Sequence, residues 1–224
     1  METQIISYYN QLAKDYDSDR FDNSYGKFID KQERQILTQI LTNPNEQILD
    51  LACGTGRLLN FASIGIDASS EMLNIAKEKF PDRVFFHAEA DHTGLDSNSV
   101  DTIIIFHLFM HLDELKIDNI LAECSRILTK NGRVIFDIPS QKRRNLLNYK
   151  SNEWHGAYSS TIKKLQLNKD FVIKKHYGIL FLPIHRFPKI LRPFFTKIDS
   201  LLANSIFAEY SSYLIIEYRK NEQH

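Results

Sequence analysis

Cysteine is scarce in this chain. Cys53 and Cys124 are the two it has in 224 residues, too few for a disulfide framework or a cysteine metal cluster. Charge of one sign is lacking as well: Lys+Arg and Asp+Glu both number 28. A molecule without net charge has no overall field to draw it to nucleic acid or an anionic membrane. No apolar run approaches the roughly 20 residues that a membrane-spanning helix needs. The N-terminus carries Glu2, Asn10 and Asp15 among its apolar residues, unlike a signal peptide. Internal repeats and low-complexity tracts are absent. A soluble, reducing, cytoplasmic setting is therefore expected. What the chain does have is a 43% hydrophobic share, enough for a real core, and a length that fits one domain of ordinary size.

The sequence is organised around Ile48-Leu49-Asp50-Leu51-Ala52-Cys53-Gly54-Thr55-Gly56-Arg57. An apolar strand runs to an acid, then to a glycine-bearing turn, then to the expected start of a helix at Arg57. Gly54 and Gly56 permit backbone angles and a close ligand approach that a side chain would block. Free N–H groups at a helix start would face that turn and suit an anionic or polar group. A dinucleotide fingerprint requires a further glycine three residues past Gly56, where Leu59 stands instead. Asp50-x-Ala52-x-Gly54-x-Gly56 resembles the first motif of class I S-adenosylmethionine-dependent methyltransferases, with Ala52 in place of the first glycine. The resemblance implies that Asp50, Ala52, Gly54 and Gly56 hold the amino-acid end of the cofactor.

Two stretches precede this motif. Residues 3–16 place Ile5, Ile6, Tyr9, Leu12, Ala13 and Tyr16 at helical spacing, and residues 27–41 do the same with Phe28, Ile29, Ile36, Leu37, Ile40 and Leu41. Both read as helices flanking an α/β core, and Asn43-Pro44-Asn45 ends the second. The run from Tyr9 through Ala13 to Tyr16-Asp17 resembles the Y-x-x-x-A-x-x-Y-D entry of small-molecule methyltransferases. There such tyrosines close over the cofactor; packing on the amphipathic face is the alternative for Tyr9 and Tyr16.

Strand–helix alternation follows, which argues for a parallel sheet covered on both faces. Ser63 to Asp67 is a short strand ending in an acid 17 residues after Asp50. A carboxylate at that strand tip can accept from both hydroxyls of a ribose, and Asp67 is expected in that role. Asp67 to Leu73 resembles the family's D-x-S-x-x-M-L run, with Ser69 or Ser70 as helix N-cap. The run places Ala68 at the cofactor and Met72 either against the adenine or in the core. After the strand Arg83 to His87, alignment backward from Val100-Asp101 puts Glu89 on the acid that accepts the adenine amino group. Ala90 falls on the amide donor, and Asp91 competes with Glu89 for the acid's role.

Val100 to Ile105 is a continuous apolar run, as a buried central strand should be. Phe106 to Asp113 resembles the family's "hydrophobic strand, then H-x-x-E-H-L" stretch, with Met110 replacing the acid. Phe106 is expected beside the methionine arm of the cofactor. His107, just past the strand end, is the candidate base, and His111, one turn on, belongs with the fold. No metal site is expected, since no third ligand accompanies this histidine pair. The D/N-P-P-Y/F signature of amino-methylating DNA enzymes is missing here, which argues against nucleobase substrates. Asp113 to Leu128 is an amphipathic helix, and Ser125 to Arg133 resembles the family's R-x-L-K-P-G-G-x segment ahead of a fifth strand ending at Pro139.

Beyond Pro139 the residues are read without that guide. Gln141 to Arg144 is basic and reads as a solvated helix start. Trp154 and Tyr158 are candidate walls of an acceptor pocket, and His155 between them is a second candidate base. Phe171 to Leu182 and Tyr210 to Arg219 read as a terminal antiparallel pair. Between them, 185–197 interleaves basic and bulky apolar residues around two prolines. It reads first as a packed crossover over the sheet, and second as a weak contact with a membrane or lipid-linked substrate.

The expected fold is a Rossmann-like, doubly wound seven-stranded α/β sheet, mostly parallel with an antiparallel terminal strand and two N-terminal flanking helices. The expected organisation is one domain: an N-terminal helical lid over 1–45, a cofactor-binding core over 46–139, and substrate-side and C-terminal sheet elements over 140–224. The resemblance, closest to the methyltransferase type 11-like, small-molecule branch, implies methyl transfer from S-adenosyl-L-methionine, leaving S-adenosyl-L-homocysteine. The acceptor would be a small molecule rather than nucleic acid, and the protein a monomer or homodimer. A non-catalytic binding partner or sensor for the same cofactor is the alternative.

Overall fold

The computed structural model describes residues 2–149 and 157–221. Three helices precede the sheet rather than two: α1 (Glu2–Leu12), α2 (Tyr16–Phe21) and α3 (Ser24–Ile40). The extra break has a local cause. The Asn23 side chain accepts from the backbone N–H groups of Tyr25 and Gly26, capping α3 anew instead of letting α2 run into it.

Seven strands follow: β1 (Ile48–Leu51), β2 (Ile64–Asp67), β3 (Val84–His87), β4 (Val100–Ile105), β5 (Leu128–Pro139), β6 (Phe171–Ile179) and β7 (Tyr213–Lys220). They form one sheet in the order β3-β2-β1-β4-β5-β7-β6. All neighbours from β3 to β5 pair in parallel, and β7 runs antiparallel between β5 and β6. This is the expected mostly parallel, Rossmann-like arrangement, with the last strand of the chain inserted inside the sheet.

Alternation along the strands divides the core into two layers. Leu49, Leu51, Ile103 and Ile105 face α5 (Glu114–Ile127), which meets them with Ile117, Ile120, Leu121 and Cys124. Ile48, Ile104 and Ile135 face the other way, onto Leu37 and Ile40 of α3 and Leu73 and Ala76 of α4 (Ser70–Lys79). Ser69 caps α4 and Asp113 caps α5, each accepting from a backbone N–H three residues on. The chain turns back between β1 and β4: β2 and β3 lie to one side of β1, and β4 and β5 to the other. At such a reversal the loops leaving the carboxyl ends of the strands splay apart and open a crevice.

The expected helix at Arg57 is not formed. Residues 54–61 turn repeatedly, closed by the Gly56, Leu59 and Phe61 N–H groups donating to the carbonyl oxygens of Cys53, Gly56 and Leu58. β2 must begin at Ile64, which leaves too little chain after the loop for a regular helix. The loop therefore offers individual backbone groups rather than an aligned helix end. Beyond β5, α6 (Gln141–Leu146) and α7 (Ile162–Leu165) are short. α8 (Arg192–Ala203) fills the crossover between β6 and β7, with Pro193 in its first turn.

Candidate active site

A cleft of about 880 Å³ opens over the carboxyl ends of β1, β2 and β4, and a smaller recess of about 320 Å³ adjoins it around the glycine turn. Tyr16, Ala52, Gly54, Phe106 and His107 border both. The strands deliver polar groups to this region in sequence. Asp50 lies in β1, Asp67 ends β2, Glu89 follows β3, His107 follows β4, and Asp137 lies near the end of β5.

Asp67 and Ala68 line the cleft, as do Met72, Glu89 and Ala90. The Asp67 carboxylate accepts from the backbone N–H of Gly54 at 2.7 Å and of Ser69 at 2.8 Å. Those bonds fix the carboxylate while each oxygen keeps a lone pair for a ligand. Burial pushes its pKa up despite them. Asp50 is buried in the wall of the smaller recess, and burial pushes its carboxyl up to about 7, against the pull of Arg57. A cationic group resting there would favour the ionised form.

Gly54 has φ +54, and a Cβ built on it would meet nothing within 4 Å. The bare backbone thus borders open space that a ligand can enter closely. Ala52, where the family motif has glycine, is held at φ +63. Gly56 takes φ +85 and lies outside both cavities, where a Cβ would press on Leu59 and Phe80. Its place is in closing the turn.

α1 and α2 form the roof. Ile5, Ile6 and Tyr9 of α1 face the cleft, and Tyr16 faces both spaces. Polar contacts dock this roof: the Tyr9 hydroxyl lies 3.1 Å from His111 Nε2, Ser69 Oγ donates to Asn10 Oδ1 at 2.6 Å, Thr55 Oγ1 donates to Asp17 Oδ1 at 2.6 Å, and Lys79 pairs with Asp17. His111 is buried and also reaches the cleft wall.

His107 sits in a buried charge network. Its Nε2 lies 3.0 Å from Glu33 Oε1 and its Nδ1 3.7 Å from Asp137 Oδ2, while its backbone N–H donates to Asp137 Oδ1 at 2.6 Å. That last bond holds the His107 backbone at φ +59, a left-handed conformation unusual without glycine. Glu33 also meets Arg57 Nη2 at 2.8 Å, and Arg57 reaches Asp30 at 2.7 Å and lies over the Phe21 ring. Burial works against a charged His107, but Glu33 and Asp137 outweigh it and raise the imidazole pKa. Burial would raise Glu33 too, yet His107 and Arg57 hold it low. For Asp137 burial prevails over His107, and its pKa is raised. Ligand atoms of Glu33, His107 and Asp137 lie within 4.8 Å of one another, close enough to share a cation. The Arg57 guanidinium already supplies positive charge at Glu33.

Other expected site residues lie elsewhere. Asp91 does not line the cleft. It pairs with Lys116 Nζ at 2.7 Å, and hydrogen bonds from Lys116 and His92 overcome the effect of burial to lower its pKa. Tyr158 packs against the core layer that α5 meets and lines neither cavity, with Lys164 over its ring. Trp154 and His155 fall outside the described residues. Glu33, Arg57 and Asp137 carried no expected role.

A family model described as a methyltransferase domain matches residues 49–136. The ubiquinone/menaquinone biosynthesis C-methyltransferase UbiE of Campylobacter jejuni is 33% identical over 149 residues, covering 60% of this chain and 63% of that protein. The chain thus spans less than two thirds of that relative's length. An uncharacterised methyltransferase of Bacillus cytotoxicus is 32% identical over 145 residues, covering 61% of this chain and 68% of the relative. Among solved structures, the magnesium protoporphyrin IX methyltransferase of Synechocystis with bound SAH superposes with a TM-score of 0.67 over 99% of this chain and all of that one, at 15% identity. That likeness is one of fold.

Proposed function

The chain belongs to the class I S-adenosylmethionine-dependent methyltransferases, and from that premise we propose that it transfers a methyl group from S-adenosyl-L-methionine to a small organic acceptor. The observation that carries the reading is Asp67. Its carboxylate stands at the tip of β2, braced by two backbone N–H groups, in the same cleft wall as the open backbone of Gly54. A braced carboxylate beside a bare glycine suits a ribose diol and the chain that extends from it.

Under this reading Asp67 accepts from the ribose hydroxyls, and Met72, Ala68 and Ala90 wall the adenine with Glu89 at its amino group. Asp50, Ala52 and Gly54 take the amino-acid end in the smaller recess, with Phe106 beside the methionine arm. Tyr9 and Tyr16 close over the ligand from the roof. Once bound, S-adenosyl-L-methionine supplies an activated methyl on a sulfonium. The protein's task is then to hold an acceptor in line with that methyl and to keep water out.

His107 is the candidate base; its Nε2 faces Glu33 and its Nδ1 faces Asp137, so taking the acceptor's proton requires the imidazole to turn one nitrogen into the cleft. It borders both cavities, and Glu33 and Asp137 orient the imidazole. A base is useful for a hydroxyl or a weakly acidic carbon. The test is a screen of small hydroxyl, amine and carbon-acid acceptors followed by S-adenosylhomocysteine release, repeated with His107→Ala. Turnover of some acceptor is expected, and loss of the base should slow the chemical step by about a hundredfold to ten-thousandfold with cofactor affinity nearly intact. Cofactor binding with no acceptor turned over would favour a non-catalytic sensor.

A further inference from the structure

The crossover between β6 and β7 turns bulky apolar side chains outward. Ile190 is 87% exposed, Phe194 63% and Leu201 74%. In α8 the buried positions are Asp199 and Ala203, four residues apart. Asp199 is anchored there, accepting from Gln32 Nε2 and from the Leu182 backbone N–H, both at 2.7 Å. Phe194, Lys197 and Leu201, spaced by three and then four residues, run along the opposite side of the helix. A helix covering a sheet normally turns its apolar stripe inward; α8 turns much of its stripe out.

The outward stripe is held in place. Arg192 donates to the carbonyl oxygens of His185 and Phe187, both at 2.9 Å, and the Phe187 and Phe195 rings pack at 4.5 Å. Pro188 and Pro193 bracket the short 3-10 turn Lys189–Leu191. This places Ile190 and Leu191 four and three residues ahead of Phe194, continuing the stripe.

Charge identifies the occupant. Over 183–207 the cations are Arg186, Lys189, Arg192 and Lys197, and the single acid is Asp199, which is buried. Lys189 and Lys197 are exposed among the protruding apolar side chains. Separate apolar projections, interleaved with exposed cations and free of exposed acid, match the boundary between anionic headgroups and acyl chains. The whole molecule has no net charge, so this preference is local to one surface.

We propose that α8 and the turn before it form a docking face for an anionic lipid bilayer, with Ile190, Phe194 and Leu201 entering the interface and Lys189 and Lys197 meeting the lipid phosphates. The face is independent of how the cleft is used.

The experiment is flotation of the full chain with phosphatidylcholine vesicles, with or without phosphatidylglycerol. The protein should float with the anionic vesicles, and removing the anionic lipid or raising the salt should lower its partition by about tenfold. Ile190→Glu/Phe194→Glu should lower it by about tenfold or more. Lys189→Gln/Lys197→Gln should remove the dependence on anionic lipid while leaving the apolar face intact. All these positions are exposed, and an unchanged melting temperature would show that the variants fold. Wild-type protein that stays in the aqueous fraction with both vesicles would overturn the proposal. So would a wild-type oligomer that the double glutamate variant dissociates while no vesicle binding occurs, since the face would then be a protein interface.

Discussion

Glu33 is fully buried yet has two cationic neighbours, the Arg57 guanidinium on one oxygen and the His107 imidazole on the other. Removing one member of such a network leaves the others uncompensated, which is costly inside a protein. Its effect on His107 is directional. The Glu33 charge favours the imidazolium, so if His107 is the base proposed above, its neutral form becomes available only above the ordinary histidine range. The acid limb of turnover should therefore lie above that range. Glu33→Gln keeps the side chain's shape and removes the charge, and the limb should shift to lower pH along with some loss of melting temperature. A pH–rate profile of both proteins checks this. A limb that stays in place while the melting temperature falls would make Glu33 a purely structural residue. The signal for Glu33 was present in the sequence. It occupies the apolar stripe of Ile29, Ile36, Leu37 and Ile40 at helical spacing, where a charge must find a partner. Asp137 likewise interrupts the buried run Val134 to Ile138. Which partners they find depends on α3 and β5 meeting across the sheet, and no local pattern encodes that.

At the scale of elements, the glycine turn joins sequence to site most directly. Periodicity placed the parallel strands and α5, and residue type placed the α4 cap at Ser69 or Ser70 and the acids Asp50 and Asp67; the expected helix opens at Asp113, which instead caps α5. Periodicity misplaced the helix at Arg57, because the early start of β2 left no room for one. The order of β7 and β6 was likewise not legible, since pairing across a sheet leaves no mark on a strand's own alternation. The turn itself makes opposite predictions at two positions. Ala52 at φ +63 bears a left-handed strain of about 1–2 kcal/mol. Ala52→Gly relieves it but frees the unfolded chain by about 0.4–1 kcal/mol. The expected net effect is a rise in melting temperature of a few degrees, about 2–4 °C per kcal/mol at this size. Gly54→Ala goes the other way. The new methyl meets no protein atom but projects from a wall shared by both cavities, at φ +54. A modest loss of stability, of order 1 kcal/mol, should accompany a larger loss of S-adenosylhomocysteine affinity, about tenfold or more. Thermal melts with and without that ligand separate the two effects. Equal losses in both melts would mean that Gly54 serves the turn alone.

For the molecule as a whole, the sheet sets a row of polar groups along one edge, from Glu89 past β3 to Asp137 in β5, beneath a roof built by α1 and α2. Asp67 stands second in that row, beside Asp50, and the account depends on what it binds. The direct measurement is isothermal calorimetry of wild-type protein and Asp67→Ala with S-adenosylhomocysteine and, separately, with NAD. The wild type should bind S-adenosylhomocysteine and show no comparable affinity for NAD. Asp67→Ala removes a charged acceptor worth about 1.5–3 kcal/mol, so affinity should fall by about tenfold to a hundredfold; the Gly54 and Ser69 N–H groups also lose their acceptor, so the melting temperature of the unliganded protein should fall as well. Affinity for NAD without any response to S-adenosylhomocysteine would contradict the account, as would an Asp67→Ala variant that keeps its ligand.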